Sequence, residues 1–109
     1  MRPTGRVGRR SMDQPSIGFV GGGRAARIIL VGLDRAGRRP ARVVVSDPSE
    51  TAREELLLRV PGTELTSDND AAASCDIVLL AVHPPVIREV AGGLVPHLRP
   101  EAVVISLAP

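Results

Sequence analysis

The sequence has no Trp, no Tyr and no Lys, and it has one Phe and one Cys in 109 residues. Without Trp or Tyr, and with Phe19 as the one aromatic, a core must be built from Ile, Leu, Val and Ala. Binding of single-stranded nucleic acid on stacked aromatic rings is excluded for the same reason. A lone Cys75 cannot make an internal disulfide framework, so nothing points to secretion. No apolar run approaches the roughly 18 residues that a membrane span needs, and the expected location is cytoplasmic. The length fits one small domain, with room for a real but thin core.

The basic residues are unevenly placed. All 14 are Arg. Residues 1–15 hold Arg2, Arg6, Arg9 and Arg10 against Asp13, a net of +3. The other ten Arg face eleven Asp and Glu, a net of −1. The high isoelectric point thus belongs to a tail, and nucleic acid is not an expected partner. Residues 1–15 carry too little apolar surface to pack and are expected to be a disordered basic tail. Arg9-Arg10-Ser11 lacks the apolar stretch of a twin-arginine signal. Met12, four residues before the first strand, is an alternative start.

From residue 16 onward the pattern alternates strand and helix. Residues 16–20 are a short apolar run bounded by Pro15 and three glycines, a buried strand. Residues 24–36 place Ala26, Ile29, Leu30 and Leu33 at helical spacing, and Gly37 stands where a C-terminal glycine cap belongs. Residues 42–46 are a β-branched strand. Asp47 is expected to cap the next helix, with Pro48 at its first position and Glu50 closing a capping box; that helix runs to Arg59, before Pro61. Residues 63–65 form a minimal strand, and 67–74 a short helix with Asp68 and Asp70 in its first turn. Residues 76–82 are an unbroken apolar strand. Residues 85–98 read as a helix with Val86, Val90, Leu94 and Leu98 on one stripe, and 102–107 as a fifth strand. This alternation predicts an α/β fold: a Rossmann-type, doubly wound parallel sheet of about five strands in the order 3-2-1-4-5, with helices on both faces.

The segment Gly21-Gly22-Gly23-Arg24-Ala25-Ala26 fits G-x-G-x-x-G/A, directly after a strand and opening a helix. Gly21 permits the tight turn, Gly23 lets backbone approach a pyrophosphate, and Ala26 keeps helix and strand close. The free N–H groups and the dipole of the helix N-terminus then hold phosphates. Asp47, after the second strand, has two open roles: a carboxylate for an adenosine ribose hydroxyl, favouring NAD, or the helix cap. If NADP binds, Ser46, Ser49 or Arg53 would meet its 2′-phosphate. Arg24 opposes the helix dipole, which opens two readings: contact with a cofactor phosphate, or a solvated side chain. His83 ends the fourth strand, where it either lines the nicotinamide side and moves a proton or is a loop histidine. His97 near a helix end reads as a surface cation site. Cys75 reads as a small core residue, and no metal site or Ser-His-Asp arrangement is present.

Taken together, the runs 17–23, 45–47, 76–82 with Pro84, and 103–106 resemble the N-terminal domain of pyrroline-5-carboxylate reductase and the related coenzyme F420-dependent NADP oxidoreductases. The resemblance covers residues 16–107. It implies reduction of 1-pyrroline-5-carboxylate with NAD(P)H, usually NADPH. It also implies that Gly21, Gly22, Gly23, Arg24, Ala25 and Ala26 bind the pyrophosphate, Ser46 and Asp47 the adenosine ribose, and Ala81, Val82, His83 and Pro84 the nicotinamide ribose. The family usually has Asn or Gln at Arg24, Met or Leu at Ala25, and Lys at His83. Its second, helical domain makes the dimer and much of the substrate pocket, and residues 16–109 are expected to lack it. The expected activity is therefore that of a cofactor domain, not catalytically complete alone, with a helical partner or self-association. The alternatives are a non-catalytic nucleotide-binding module or truncated remnant, and a methyltransferase, which shares a glycine loop but not this dinucleotide spacing.

Overall fold

The computed structural model describes residues 15–82 and 84–107, with Pro84 described in its backbone only. The expectations for the tail, Met12, His83 and the last two residues lie outside the described residues. Among the described residues, no helix is long and apolar enough to cross a membrane.

Among the described residues, five strands and four α-helices alternate: β1 (Ser16–Val20), α1 (Arg24–Arg35), β2 (Arg42–Ser46), α2 (Glu50–Arg59), β3 (Glu64–Thr66), α3 (Asn69–Ala73), β4 (Ile77–Leu80), α4 (Pro84–Leu94) and β5 (Val103–Ser106). The strands form one parallel sheet in the order β3-β2-β1-β4-β5, as the alternation predicted. Phe19, Val43, Val45 and Leu79 bury one sheet face against Ala26 and Leu30 of α1 and Leu56 of α2. Val20, Val44, Val78 and Leu80 bury the other against Ala72 and Ala73 of α3 and Leu94 of α4. Side chains alternate across each strand, so an unbroken apolar strand feeds both layers at once.

The caps explain the helix ends. Beyond α1, Gly37 has φ +69°. Its N–H donates to the Asp34 carbonyl (3.1 Å), and the Arg38 N–H donates to the Leu33 carbonyl (2.9 Å). This is a Schellman closure, which only glycine enters without steric cost.

The start of α2 departs from expectation. Ser49, not Asp47, is the N-cap, and its hydroxyl accepts from the Ala52 N–H at 3.1 Å. Pro48 therefore lies before the helix, and Glu50 closes no capping box with Asp47. The reason is that the Asp47 carboxylate is drawn to the glycine loop, so the chain spends two more residues before the helix begins.

Other differences are shorter. α3 starts at Asn69, with Asp68 as its cap. α4 ends at Leu94 and continues as a 3-10 turn over Val95–His97, since Pro96 lacks an N–H and its ring opposes an α-helical path. Leu94 is buried, and Val90, Leu98 and Ile87 pack beside it, but Val86 is 43% exposed. The two sheet edges differ. β3 is three residues long, and Glu64 forms a two-pronged pair with Arg42 (2.7 and 2.9 Å). β5, an edge strand, exposes Val103, Val104 and Ile105 by 42–50%.

The hydrogen bond from Arg42 holds the Glu64 carboxyl below its ordinary range. Its contribution is complete at neutral pH and fades as the pH falls through the lowered value of the folded state. Because the pair is exposed, Glu64→Gln should cost no more than about 1 kcal/mol in urea unfolding at neutral pH. A larger loss would mean that the pair anchors β3.

Cys75 is fully buried, as expected, and burial pushes its thiol above the ordinary range. The folded chain should react with a thiol reagent at least about 100-fold more slowly than the unfolded chain. Equal rates would contradict this placement.

Candidate functional site

The glycine loop sits at the carboxyl ends of β1, β2 and β4. β1 lies between β2 and β4, so the chain order reverses there; such switch points form ligand crevices in open α/β sheets. A crevice of about 660 Å³ opens at this point. Its wall is formed by Val20, Gly21 and Gly23 from the first turn, Ser46, Asp47 and Pro48 after β2, Ala81 and Val82 after β4, and residues of α3 and α4. The volume is within the range of small-molecule sites.

Each loop glycine has a distinct role. Gly21 has φ +108°, and a Cβ there would lie 2.5 Å from the Ala81 carbonyl oxygen. Its N–H donates to the Ser46 carbonyl at 2.7 Å. Gly22 is buried, and a Cβ would meet Val45 Cγ1 at 3.1 Å. Its N–H donates to Asp47 Oδ2 at 2.8 Å. Gly23 is exposed, and a Cβ there would have nothing within 4 Å. It is also the N-cap of α1 and has no side chain to cap it. The first-turn amides of α1 are therefore left without a capping side chain and are available to an anion. Ala26 is fully buried, as close contact of helix and strand requires.

Asp47 has a role that spacing alone did not reveal. Oδ2 holds the Gly22 amide, while Oδ1 accepts from the Ser49 N–H at 2.8 Å. One carboxylate thus fastens the glycine loop to the β2–α2 turn. Ser46 has no exposed surface, and its hydroxyl donates to Asn69 Oδ1 at 2.7 Å. Arg53 reaches back over the same turn, with Nη1 donating to the Asp47 carbonyl at 2.7 Å. Among the described residues it pairs with no carboxylate.

Other expected residues are placed elsewhere or gain company. The Arg24 side chain lines a groove on the outer face of α1, together with Arg27, Arg35 and Arg59. Ala25 is exposed on the first turn. His97 Nε2 lies 3.3 Å from Asp70 Oδ2 at the surface. Sequence reasoning missed Asn69, Asp70 and Glu89 as crevice residues. It also missed Gly18, where a Cβ would lie 2.0 Å from the Ala72 carbonyl oxygen. A glycine inside a strand is the signal that could have shown this close approach. No cluster of His, Cys, Asp and Glu among the described residues could hold a metal ion.

The residues present fit a dinucleotide on structural grounds. The cradle is backbone, Gly21 excludes a Cβ, Gly22 leaves little room for one, and the α1 amides have no capping side chain. Crevice carboxylates such as Asp47, Asp70 and Glu89 offer no charge to phosphates, so phosphate binding falls to those amides.

Known proteins resemble this chain in sequence and fold. The family model for NADP oxidoreductase coenzyme F420-dependent matches residues 16–109. A pyrroline-5-carboxylate reductase of Pseudomonas aeruginosa is 32% identical over 97 residues, covering 89% of this chain and 36% of the relative. One from Pasteurella multocida is 35% identical over 100 residues, again covering 89% and 36%. The solved structure of a pyrroline-5-carboxylate reductase from Coxiella burnetii superposes with a TM-score of 0.78 at 36% identity, over 88% of this chain and 36% of that one. The chain spans about a third of the length of the curated relatives it matches.

Proposed function

The chain belongs to the family of coenzyme F420-dependent NADP oxidoreductases, and from that membership we propose that residues 16–109 are the dinucleotide-binding domain of a pyrroline-5-carboxylate reductase-like oxidoreductase. The observation that carries this reading is the backbone cradle at the switch point, with Asp47 locking Gly22 and the α1 amides left open. The backbone amides of Gly23, Arg24, Ala25 and Ala26 would hold the pyrophosphate. The turn of Ser46 and Asp47 would hold the adenosine ribose, and Ala81 and Val82, which line the crevice, would face the nicotinamide ribose. When bound, the dinucleotide supplies a hydride for reduction of a carbon–nitrogen double bond. The chain's own contribution is binding, orientation and pre-set loop geometry.

The preferred cofactor is NADP(H), in a cytoplasmic setting. Support comes from the family description and from Arg53, a guanidinium beside the ribose turn that pairs with no carboxylate among the described residues. A charge-assisted contact to a 2′-phosphate is worth about 1.5–3 kcal/mol. Arg53→Ala should therefore raise the NADPH dissociation constant about tenfold and leave NADH within about twofold. Equal losses for both cofactors would remove Arg53 from cofactor discrimination.

The crevice is open, and β5 presents apolar side chains to solvent. Substrate enclosure, which hydride transfer requires, calls for a further helical domain that closes this side. The 109-residue chain, given NADPH and 1-pyrroline-5-carboxylate, should oxidise no cofactor above background. Steady oxidation would overturn this part of the proposal.

A further inference from the structure

The outer face formed by α1 and α2 takes no part in the crevice. α1 places Arg24, Ile28, Val31 and Arg35 on one stripe, by their i, i+4, i+7 and i+11 spacing; Arg24, Ile28 and Arg35 are exposed, and Val31 is half-buried against the core. Arg59 of α2 closes the same groove, whose volume is about 450 Å³. Ile28 is 63% exposed on its floor. Gly32 lies in mid-helix beside it, with nothing within 4 Å of where a Cβ would stand. A glycine inside an exposed helix is less favourable there than alanine. What it provides here is a low floor on which another helix can lie close.

The neighbouring stripe on α2 has the opposite charge. Glu50 and Glu54 are exposed, and Leu57 and Leu58 beside them are 47% and 83% exposed. Among the described residues, Arg24, Arg35 and Arg59 have no carboxylate partner, and neither Glu50 nor Glu54 has a cationic one. Within one protomer, Arg27 of α1 already pairs with Glu55 of α2 at 3.4 Å. The face therefore holds a basic apolar stripe and an acidic apolar stripe side by side. A two-fold rotation brings each onto the other, which is the condition for an isologous contact.

We propose that this face binds a second copy of the same chain, α1 of one protomer lying against α2 of its partner. Ile28, Leu57 and Leu58 form the apolar centre, and the Arg and Glu side chains beside them form the rim. The contact is independent of the dinucleotide reading, because it lies outside the crevice.

Sedimentation of the purified 109-residue chain, from about 5 to about 500 µM, tests it, since oligomer stability scales with protomer concentration. The expected result is a concentration-dependent dimer whose dissociation constant rises severalfold between about 50 and about 500 mM NaCl, because rim charges are screened. Ile28→Glu and Leu58→Glu should each raise that constant at least about tenfold. Both sites are exposed, so the circular dichroism spectrum should not change. Glu54→Arg should weaken the dimer at low salt. A chain that stays monomeric throughout overturns the proposal, as does a dimer that survives both substitutions. The second outcome would move self-association to the β5 edge.

Discussion

Gly18→Ala should lower the melting temperature by about 10 °C or more, or leave a chain that does not fold. The added methyl would lie 2.0 Å from the Ala72 carbonyl oxygen, 2.7 Å from its carbon and 3.0 Å from its Cα. All three are backbone atoms, so no side chain can turn aside to relieve the clash. β1 is the central strand, hydrogen-bonded to β2 on one side and β4 on the other, and cannot move alone. α3 must lift instead, which exposes Ala72 and Ala73 from the core layer beneath them. Overpacking of this kind costs about 3 kcal/mol or more, which for a domain of this size corresponds to the shift stated. Thermal unfolding followed by circular dichroism reads it directly. A change of less than about 2 °C would mean that α3 is not seated against β1 as described.

Asp47→Ala should weaken dinucleotide binding at least about tenfold and also destabilise the fold by about 1–3 kcal/mol. Both effects have one origin. The carboxylate satisfies the N–H of buried Gly22 and the N–H of Ser49 at 2.8 Å each. Truncation leaves a buried donor without a partner, which costs about 1–3 kcal/mol. It also frees the glycine loop from the β2–α2 turn, so ordering the loop becomes part of the cost of binding. A carboxylate that touched only a ribose hydroxyl would give a different pattern: lost affinity with unchanged stability. A helix cap would give the reverse. Asp47→Asn, which keeps one acceptor oxygen, should lie between wild type and alanine in both readouts. Urea unfolding and titration with NADPH, made on the same samples, separate the three cases.

Much of this architecture was legible from spacing. The strand order followed from alternation of apolar runs with helical stripes, because buried parallel strands and right-handed connections leave few topologies. The glycine loop was legible because its three positions have separate steric demands, and Gly21 and Ala26 meet theirs in the fold. Gly37 was legible because a left-handed residue at a helix end is a local matter.

What escaped was set by contacts distant in sequence. Asp47 followed by Pro48 and Glu50 has the local look of a helix start. Its carboxylate is claimed instead by Gly22, 25 residues away, and Ser49 takes over the cap. Gly18 read as one more residue of a buried strand; its neighbour Ala72 arrives from α3. β5 is as apolar in composition as a buried strand, yet Val103, Val104 and Ile105 are exposed, because β5 is the edge of the sheet and pairs with β4 alone among the described strands. Composition reports what a strand could bury, whereas the neighbouring elements decide what it does bury.

Isothermal titration of the folded 109-residue chain with NADPH, and in parallel with NADH, at one fixed low salt concentration, tests the central claim most directly. The account predicts saturable binding at one site, tighter for NADPH, and lost when Gly21 is replaced by a residue that cannot adopt its positive φ. Absence of binding by either cofactor to a chain with the expected circular dichroism spectrum would contradict it.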